Sequence, residues 1–224
     1  MSMKYNRLIA FILFLAFHFP VLAQENEHHF ANAIREFREI DKTNPPKPGS
    51  VLFIGSSSFT IWTDLEKYFP DIDIINRAFG GSTLSDQIYF AGDVVFPYLP
   101  RQIVIYCGEN DLAFDDQLTT DEVFERFLTL YKIIRSELPD VSVLYVSMKP
   151  SPDRWHLAER FYEANRRIQR FIDEEQSLIY IDIWDSMLDS NGNPDPSLFL
   201  EDMLHMNEKG YDIWKKALED KLIK

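Results

Sequence analysis

The sequence predicts an α/β fold: a three-layer α/β/α sandwich built on a five-stranded parallel sheet. Three observations carry this. Five short apolar runs recur along the chain, and stretches with helical spacing lie between them. Strands that alternate with helices of such length imply crossover connections and a parallel sheet covered on both faces. Four of the eight glycines (Gly55, Gly80, Gly81 and Gly108) stand just past the first three apolar runs, where a chain turns from strand to helix.

The elements follow in order. Phe30, Ile34, Phe37 and Ile40 recur at steps of three and four, which makes residues 28–40 an amphipathic helix. Residues 44–49, with three prolines and a glycine, end it and form a linker. The first strand is 51–54, closed by Gly55. The second is 72–78, closed by Gly80 and Gly81. The third is 103–107, closed by Gly108. The fourth and fifth are 141–148 and 178–183. Helical patterns occupy 61–68, 84–98, 121–138 and 153–175, and a last helix runs from about 207 to 222. By analogy with flavodoxin-like, doubly wound sheets, the expected strand order is 2-1-3-4-5, with a ligand crevice beyond the carboxyl ends of the strands. No internal repeat is visible, and residues 51–224 read as one domain, preceded by a helix and linker over 24–50.

Composition narrows the function. The chain has 224 residues, 46% of them hydrophobic and 26% charged, which argues against disorder and low-complexity architecture. Its net charge of −13 repels phosphate backbones, so nucleic acid is not an expected partner. A single cysteine, Cys107, excludes an internal disulfide and a cysteine-based zinc site. Lys4 and Arg7 precede ten apolar residues, 8–17, and Val21-Leu22-Ala23 follow Pro20, with small or β-branched residues where a signal peptidase needs them. This is the pattern of a secretory signal cleaved after Ala23. The run is too short, and too broken by His18 and Pro20, for a spanning helix. The expectation is an exported protein, periplasmic or extracellular, with no stable membrane span.

The strand ends carry the chemistry. Gly55-Ser56-Ser57-Ser58 reads either as a helix cap or as an exposed nucleophile beside backbone amides that stabilise an oxyanion. Gly80-Gly81 leaves the Gly81 amide accessible, or makes a simple turn. Asn110, in Gly108-Glu109-Asn110-Asp111, offers a neutral N–H donor or starts an Asx-turn. Asp202-Met203-Leu204-His205 reads either as two solvated residues before a helix or as a base with a carboxylate three residues earlier, which is the logic of a Ser–His–Asp arrangement. The remaining histidines compete poorly: His28 and His29 read as a mobile start and His156 lacks a partner at ligand spacing, so zinc is not expected. Glu109, Asp111, Asp115 and Asp116 could hold a hard cation, but on so acidic a chain they read as a solvated loop.

Taken together these four blocks resemble those of the SGNH (GDSL-type) hydrolases, and they span nearly the whole of the chain after the leader. Asn76-Arg77-Ala78-Phe79-Gly80-Gly81-Ser82-Thr83 and Gly108-Glu109-Asn110-Asp111 are similar to the secreted bacterial branch related to platelet-activating-factor acetylhydrolases. The resemblance implies the SGNH hydrolase fold and a serine esterase. In it Ser57 is the nucleophile, His205 the base and Asp202 its orienting acid. The amides of Ser57 and Gly81 and the side chain of Asn110 form the oxyanion hole, and no metal or organic cofactor is needed. Ser56 departs from the family, which usually has aspartate there, and puts the rigidity of the loop in question. The adjacent Ser56 and Ser58 remain alternative nucleophiles.

The substrate expected is a small carboxylic ester, such as an acetylated carbohydrate. A lysophospholipase-like acylhydrolase is the nearest competitor. A non-catalytic carbohydrate-binding module is the other, with Trp62 and Trp155 as sugar-stacking candidates. Residues 153–175 and 190–200 are the expected walls of the acyl pocket.

Overall fold

The computed structural model describes residues 27–224; the signal-peptide reading of 1–23 lies outside them. Strands β1 (Val51–Gly55), β2 (Ile74–Asn76), β3 (Gln102–Tyr106), β4 (Ser142–Val146) and β5 (Leu178–Ile181) form one sheet in the order β2-β1-β3-β4-β5. Every neighbouring pair is parallel. The three-layer sandwich and the strand order expected from the sequence are both present.

Successive side chains of a strand point to opposite faces, and the two cores divide accordingly. Leu52, Ile54, Ile103, Ile105, Val143 and Tyr145 face one core. Helices α1 (Ala31–Thr43), α4 (Leu84–Tyr89), α5 (Ala91–Val94), α7 (Thr120–Glu137) and α8 (Ala158–Ile172) cover it. Val51, Phe53, Val104, Tyr106, Leu144 and Val146 face the other. That side is covered by α2 (Ser57–Ile61), α3 (Leu65–Tyr68) and α9 (Glu208–Leu218). Both faces of the sheet are buried, which is why its strands read as continuous apolar runs rather than alternating ones.

The helix starts have local causes. Thr83 with Asp86, and Thr119 with Glu122, form reciprocal capping boxes at α4 and α7. Asn207 caps α9 through its side chain. Two expected helices are broken. The 84–98 pattern resolves into α4, α5 and a 3₁₀ turn at Phe96–Tyr98. Pro97 cannot donate into a continued helix, and Leu99 takes a left-handed φ of 43°. The 61–68 pattern splits because Trp62, 1% exposed, turns into the core and leaves helical geometry. A short helix, α6 (Glu109–Phe114), was not foreseen; Gly108, at φ 120°, is its N-cap. Among the described residues no helix is long and apolar enough to cross a membrane.

In α1, Ile34 is buried and Phe37 packs against the sheet's core, as does Phe30 just before the helix, whereas Ile40 of the expected face is exposed. Arg77 pairs with Asp41 of α1. His28, expected to be mobile, stacks on Tyr89 with ring centroids 4.7 Å apart, and its Nε2 lies 3.2 Å from Asp86.

Candidate active site

The chain reaches the site through a turn only glycine can make. Gly55 ends β1 at φ 129°, and a Cβ there would lie 1.9 Å from the Tyr106 carbonyl oxygen on the adjacent strand. The Ser56 amide donates to that same oxygen at 3.0 Å. Ser57 is then the first residue of α2 and is half-buried, while Ser56 and Ser58 on either side are buried. The three-serine ambiguity therefore has a structural answer: Ser57 is the one whose hydroxyl meets His205.

His205 Nε2 lies 2.9 Å from Ser57 Oγ, and His205 Nδ1 lies 2.6 Å from Asp202 Oδ2. With the ring proton on Nδ1, Nε2 accepts from the serine hydroxyl. Asp202 Oδ1 accepts from the amides of Leu204 and His205 at 3.0 and 2.9 Å. Burial is the largest single influence on the Asp202 carboxyl and pushes its pKa up, but the His205 ring and those two amides together outweigh it and hold the pKa at about 2. The turn itself is tight, with Met203 at φ 56°. It is tied to the chain after β4 by the Asp153 amide donating to the Met203 carbonyl.

The other predicted residues meet at the same place. Among the described residues, neither the Ser57 nor the Gly81 amide donates to a backbone acceptor. Gly81 adopts φ 85°, and a Cβ on Gly80 would lie 3.7 Å from that of Ser57. Asn110, on the unforeseen α6, directs its side-chain nitrogen to Ser56 Oγ at 2.6 Å and to the Ser82 carbonyl at 3.0 Å. Ser56, where the resembling family has aspartate, thus keeps a bond to Asn110 through a neutral hydroxyl.

The acidic stretch after β3 is not a solvated loop. Glu109 is 4% exposed and accepts from three side chains: the Tyr106 hydroxyl, Lys149 Nζ at 2.9 Å and Arg154 Nη1 at 3.0 Å. Burial pushes its pKa up, and the charges of Lys149 and Arg154 outweigh that and leave it lowered. Asp111 is also buried, accepting from the Leu84 amide and from Arg126 at 2.8 Å each. Only Asp115 and Asp116 remain exposed, as expected. Lys149 and Arg154 were missed at the level of sequence. Their one signal was position, since both follow the end of β4, where sites in such sheets collect.

Ser57, Gly81, Asn110 and His205 line a cleft of about 360 Å³ with Thr60, Ile61, Gly80, Phe114, Arg154 and Leu204. Of the expected walls, 153–175 supplies Arg154 and 190–200 supplies nothing. The apolar walls come instead from α2, α6 and the loop before α9. Trp62 is core, stacked on Tyr211 at 4.7 Å, and Trp155 packs beside Trp184; neither lines the cleft. A larger concavity of about 560 Å³ lies between β2 and the 44–47 linker, but none of Ser57, Asn110 and His205 borders it. Cys107 is buried, and burial raises its thiol pKa well above the usual range, which makes it a poor nucleophile. Among the described residues, His28, His29 and Asp86 are the one group whose metal-capable atoms lie within 4.8 Å of one another. The His28 ring there is already engaged by Asp86 and by the Phe30 amide.

Comparison with known proteins agrees with the fold. The model of the GDSL-like Lipase/Acylhydrolase family matches residues 55–213. Among solved structures, a Streptococcus pneumoniae protein named for platelet activating factor superposes with a TM-score of 0.75 at 18% identity, covering 86% of this chain and 92% of its own. A GDSL-like lipase from Bacteroides thetaiotaomicron gives 0.72 at 20% identity, with 85% and 97% covered. An acetyl-xylooligosaccharide esterase from a Geobacillus gives 0.61 at 15% identity, with 79% and 96% covered. No curated protein matches the chain.

Proposed function

The chain belongs to the GDSL-like lipase/acylhydrolase family and is a carboxylic ester hydrolase; on that premise we propose that it is an exported serine esterase for short acyl groups, acetyl foremost, on carbohydrate or similarly small alcohols. The observation that carries the reading is the unbroken hydrogen-bonded line from Ser57 through His205 to Asp202, opening on a small cleft.

In the proposed reaction Ser57 Oγ attacks the ester carbonyl carbon and its proton passes to His205 Nε2. The tetrahedral oxyanion is met by the Ser57 and Gly81 amides and by the Asn110 side chain, whose N–H exchanges the neutral Ser56 hydroxyl for a charged acceptor. Collapse expels the alcohol, which takes the proton from His205. Water then attacks the acyl-enzyme, giving a proton to His205, and release of the acid returns that proton to Ser57. Asp202 keeps the imidazole in the productive tautomer throughout.

The cleft volume of about 360 Å³ is near the lower end for small-molecule sites, which favours short acyl chains. A structural relative that acts on acetylated xylooligosaccharides supports the same class. The signal-like pattern of residues 1–23 supports export, and the strongly acidic chain disfavours docking on anionic membranes. A panel of p-nitrophenyl esters beside acetylated sugars tests the reading. Acetate and propionate esters are expected to give the highest kcat/KM. A steady rise toward long chains would assign the cleft to a lysophospholipid instead.

The ionisation of Asp202 gives a second check. Held at about 2 by the His205 ring and the two amides, it stays a carboxylate throughout the working range. Carbon-13 NMR of the Asp202 carboxyl is expected to show it ionised well below the ordinary aspartate pKa of about 3.9. A carboxyl that protonates at or above that value would break the line from Asp202 to His205.

A further inference from the structure

Arg154 borders the cleft and is spoken for by two groups at once. Its Nη1 donates to Glu109 Oε1 at 3.0 Å and to Asn110 Oδ1 at 2.9 Å. Guanidinium is a donor only, so the Asn110 atom it touches is the carbonyl oxygen. The NH₂ end of Asn110 is thereby turned toward Ser56, Ser82 and the cleft. Arg154 is itself fixed from behind: Glu109 is held by Lys149 and by the Tyr106 hydroxyl. The Arg154 guanidinium also sits 5.8 Å from the centre of the Phe114 ring, in the range of a cation–π contact.

We propose that Arg154 is a positioning residue for acyl transfer, acting through Asn110. Its charge-assisted bond to Oδ1 anchors the carboxamide and draws electron density toward the oxygen. This leaves the N–H groups stronger donors to the oxyanion. The cluster provides the fixed support that an oxyanion donor needs, since a donor that must reorient during reaction loses much of its advantage. The inference rests on the proposed role of Asn110 and adds to it a second residue, reached through the side chain rather than through substrate.

The test is a double-mutant cycle with Arg154→Met and Asn110→Ala, read on p-nitrophenyl acetate. Arg154→Met leaves Glu109 paired with Lys149, so the buried carboxylate keeps a cation and the variant is expected to fold; thermal unfolding checks this. Asn110→Ala alone is expected to lower kcat roughly 10²–10³-fold. Arg154→Met alone is expected to lower kcat roughly 10- to 100-fold, the worth of a hydrogen bond to a charged group, with little change in KM. Together they should cost no more than Asn110→Ala alone. Additive losses would overturn the proposal, and so would a raised KM with unchanged kcat, which would mean that Arg154 binds substrate directly. An Asn110→Ala variant as active as wild type would also overturn it. Fluorophosphonate labelling of Ser57 in the same proteins tells these outcomes apart from failure of the esterase reading itself. Should the wild type neither label nor turn over, the side-chain NH₂ resonance of Asn110 still decides. Its hydrogen exchange is expected to quicken in Arg154→Met, and an unaltered resonance would refute the coupling.

Discussion

Replacing Ser57 with alanine is expected to remove essentially all esterase activity, with kcat falling roughly 10⁶-fold, as in a comparable serine hydrolase. The reason is geometric. Ser57 is the one hydroxyl of the three-serine turn bonded to His205, and the buried Ser56 and Ser58 face other partners or none. His205→Ala should cost about as much, because a serine without its base is a poor nucleophile at neutral pH. The double variant should be no worse than either alone, since the two residues work as a unit and their losses do not add. Steady-state kinetics on p-nitrophenyl acetate reads all three. A fluorophosphonate probe should modify the wild type once, at Ser57, and leave Ser57→Ala unlabelled. Absence of labelling in a folded, wild-type protein would favour the rival in which this fold is a non-catalytic carbohydrate-binding module. Residual activity near the wild-type level in purified Ser57→Ala would move the nucleophile elsewhere.

Much of this site is legible in the sequence because its backbone is written in glycine. Gly55, Gly81 and Gly108 all adopt positive φ at strand ends, and few other residues do so at no cost. Their positions in the sequence therefore marked where three loops converge. The strands were legible for a related reason, since burial on both faces leaves an apolar run with little ambiguity. What escaped were features decided by tertiary partners. Nothing local distinguishes Glu109 from Asp115, yet one is buried between two cations and the other is exposed. The cations come from Lys149 and Arg154, some forty residues away in a stretch without glycine or any catalytic signature. The cleft walls were misplaced for the same cause. Ile61 and Phe114 sit on short helices, α2 and α6, whose ends are set by packing and by Gly108 rather than by periodicity. The 84–98 helix failed differently: its apolar spacing was correct, but the backbone leaves helical geometry at Phe90 and again at Val95, and Pro97 removes a donor from any continuation.

That buried cluster leads to the largest expected effect on stability. Lys149 is 2% exposed and Arg154 is largely covered, and both form their ion pairs with Glu109. Removing the carboxylate strands two cations, whereas removing either cation leaves the carboxylate paired with the other. Glu109→Ala is therefore expected to destabilise the protein by about 3–5 kcal/mol, the cost of an uncompensated buried charge, and Lys149→Met by clearly less. Coulomb attraction between the partners is not the argument, because desolvation offsets much of it; the asymmetry comes from what each deletion leaves behind. The pH dependence has a fixed sign. The folded-state pKa of Glu109 is lowered by Lys149 and Arg154 despite its burial. Its contribution is therefore complete above the ordinary glutamate pKa of about 4.3 and fades as pH falls through the lower, folded-state value. Urea unfolding of wild type, Glu109→Ala and Lys149→Met at pH 7 and at successively lower pH measures both claims. The gap between wild type and Glu109→Ala should be widest at neutral pH and narrow toward acid. Equal losses for Glu109→Ala and Lys149→Met, or a gap that widens on acidification, would show that the three side chains do not share charge as their geometry requires.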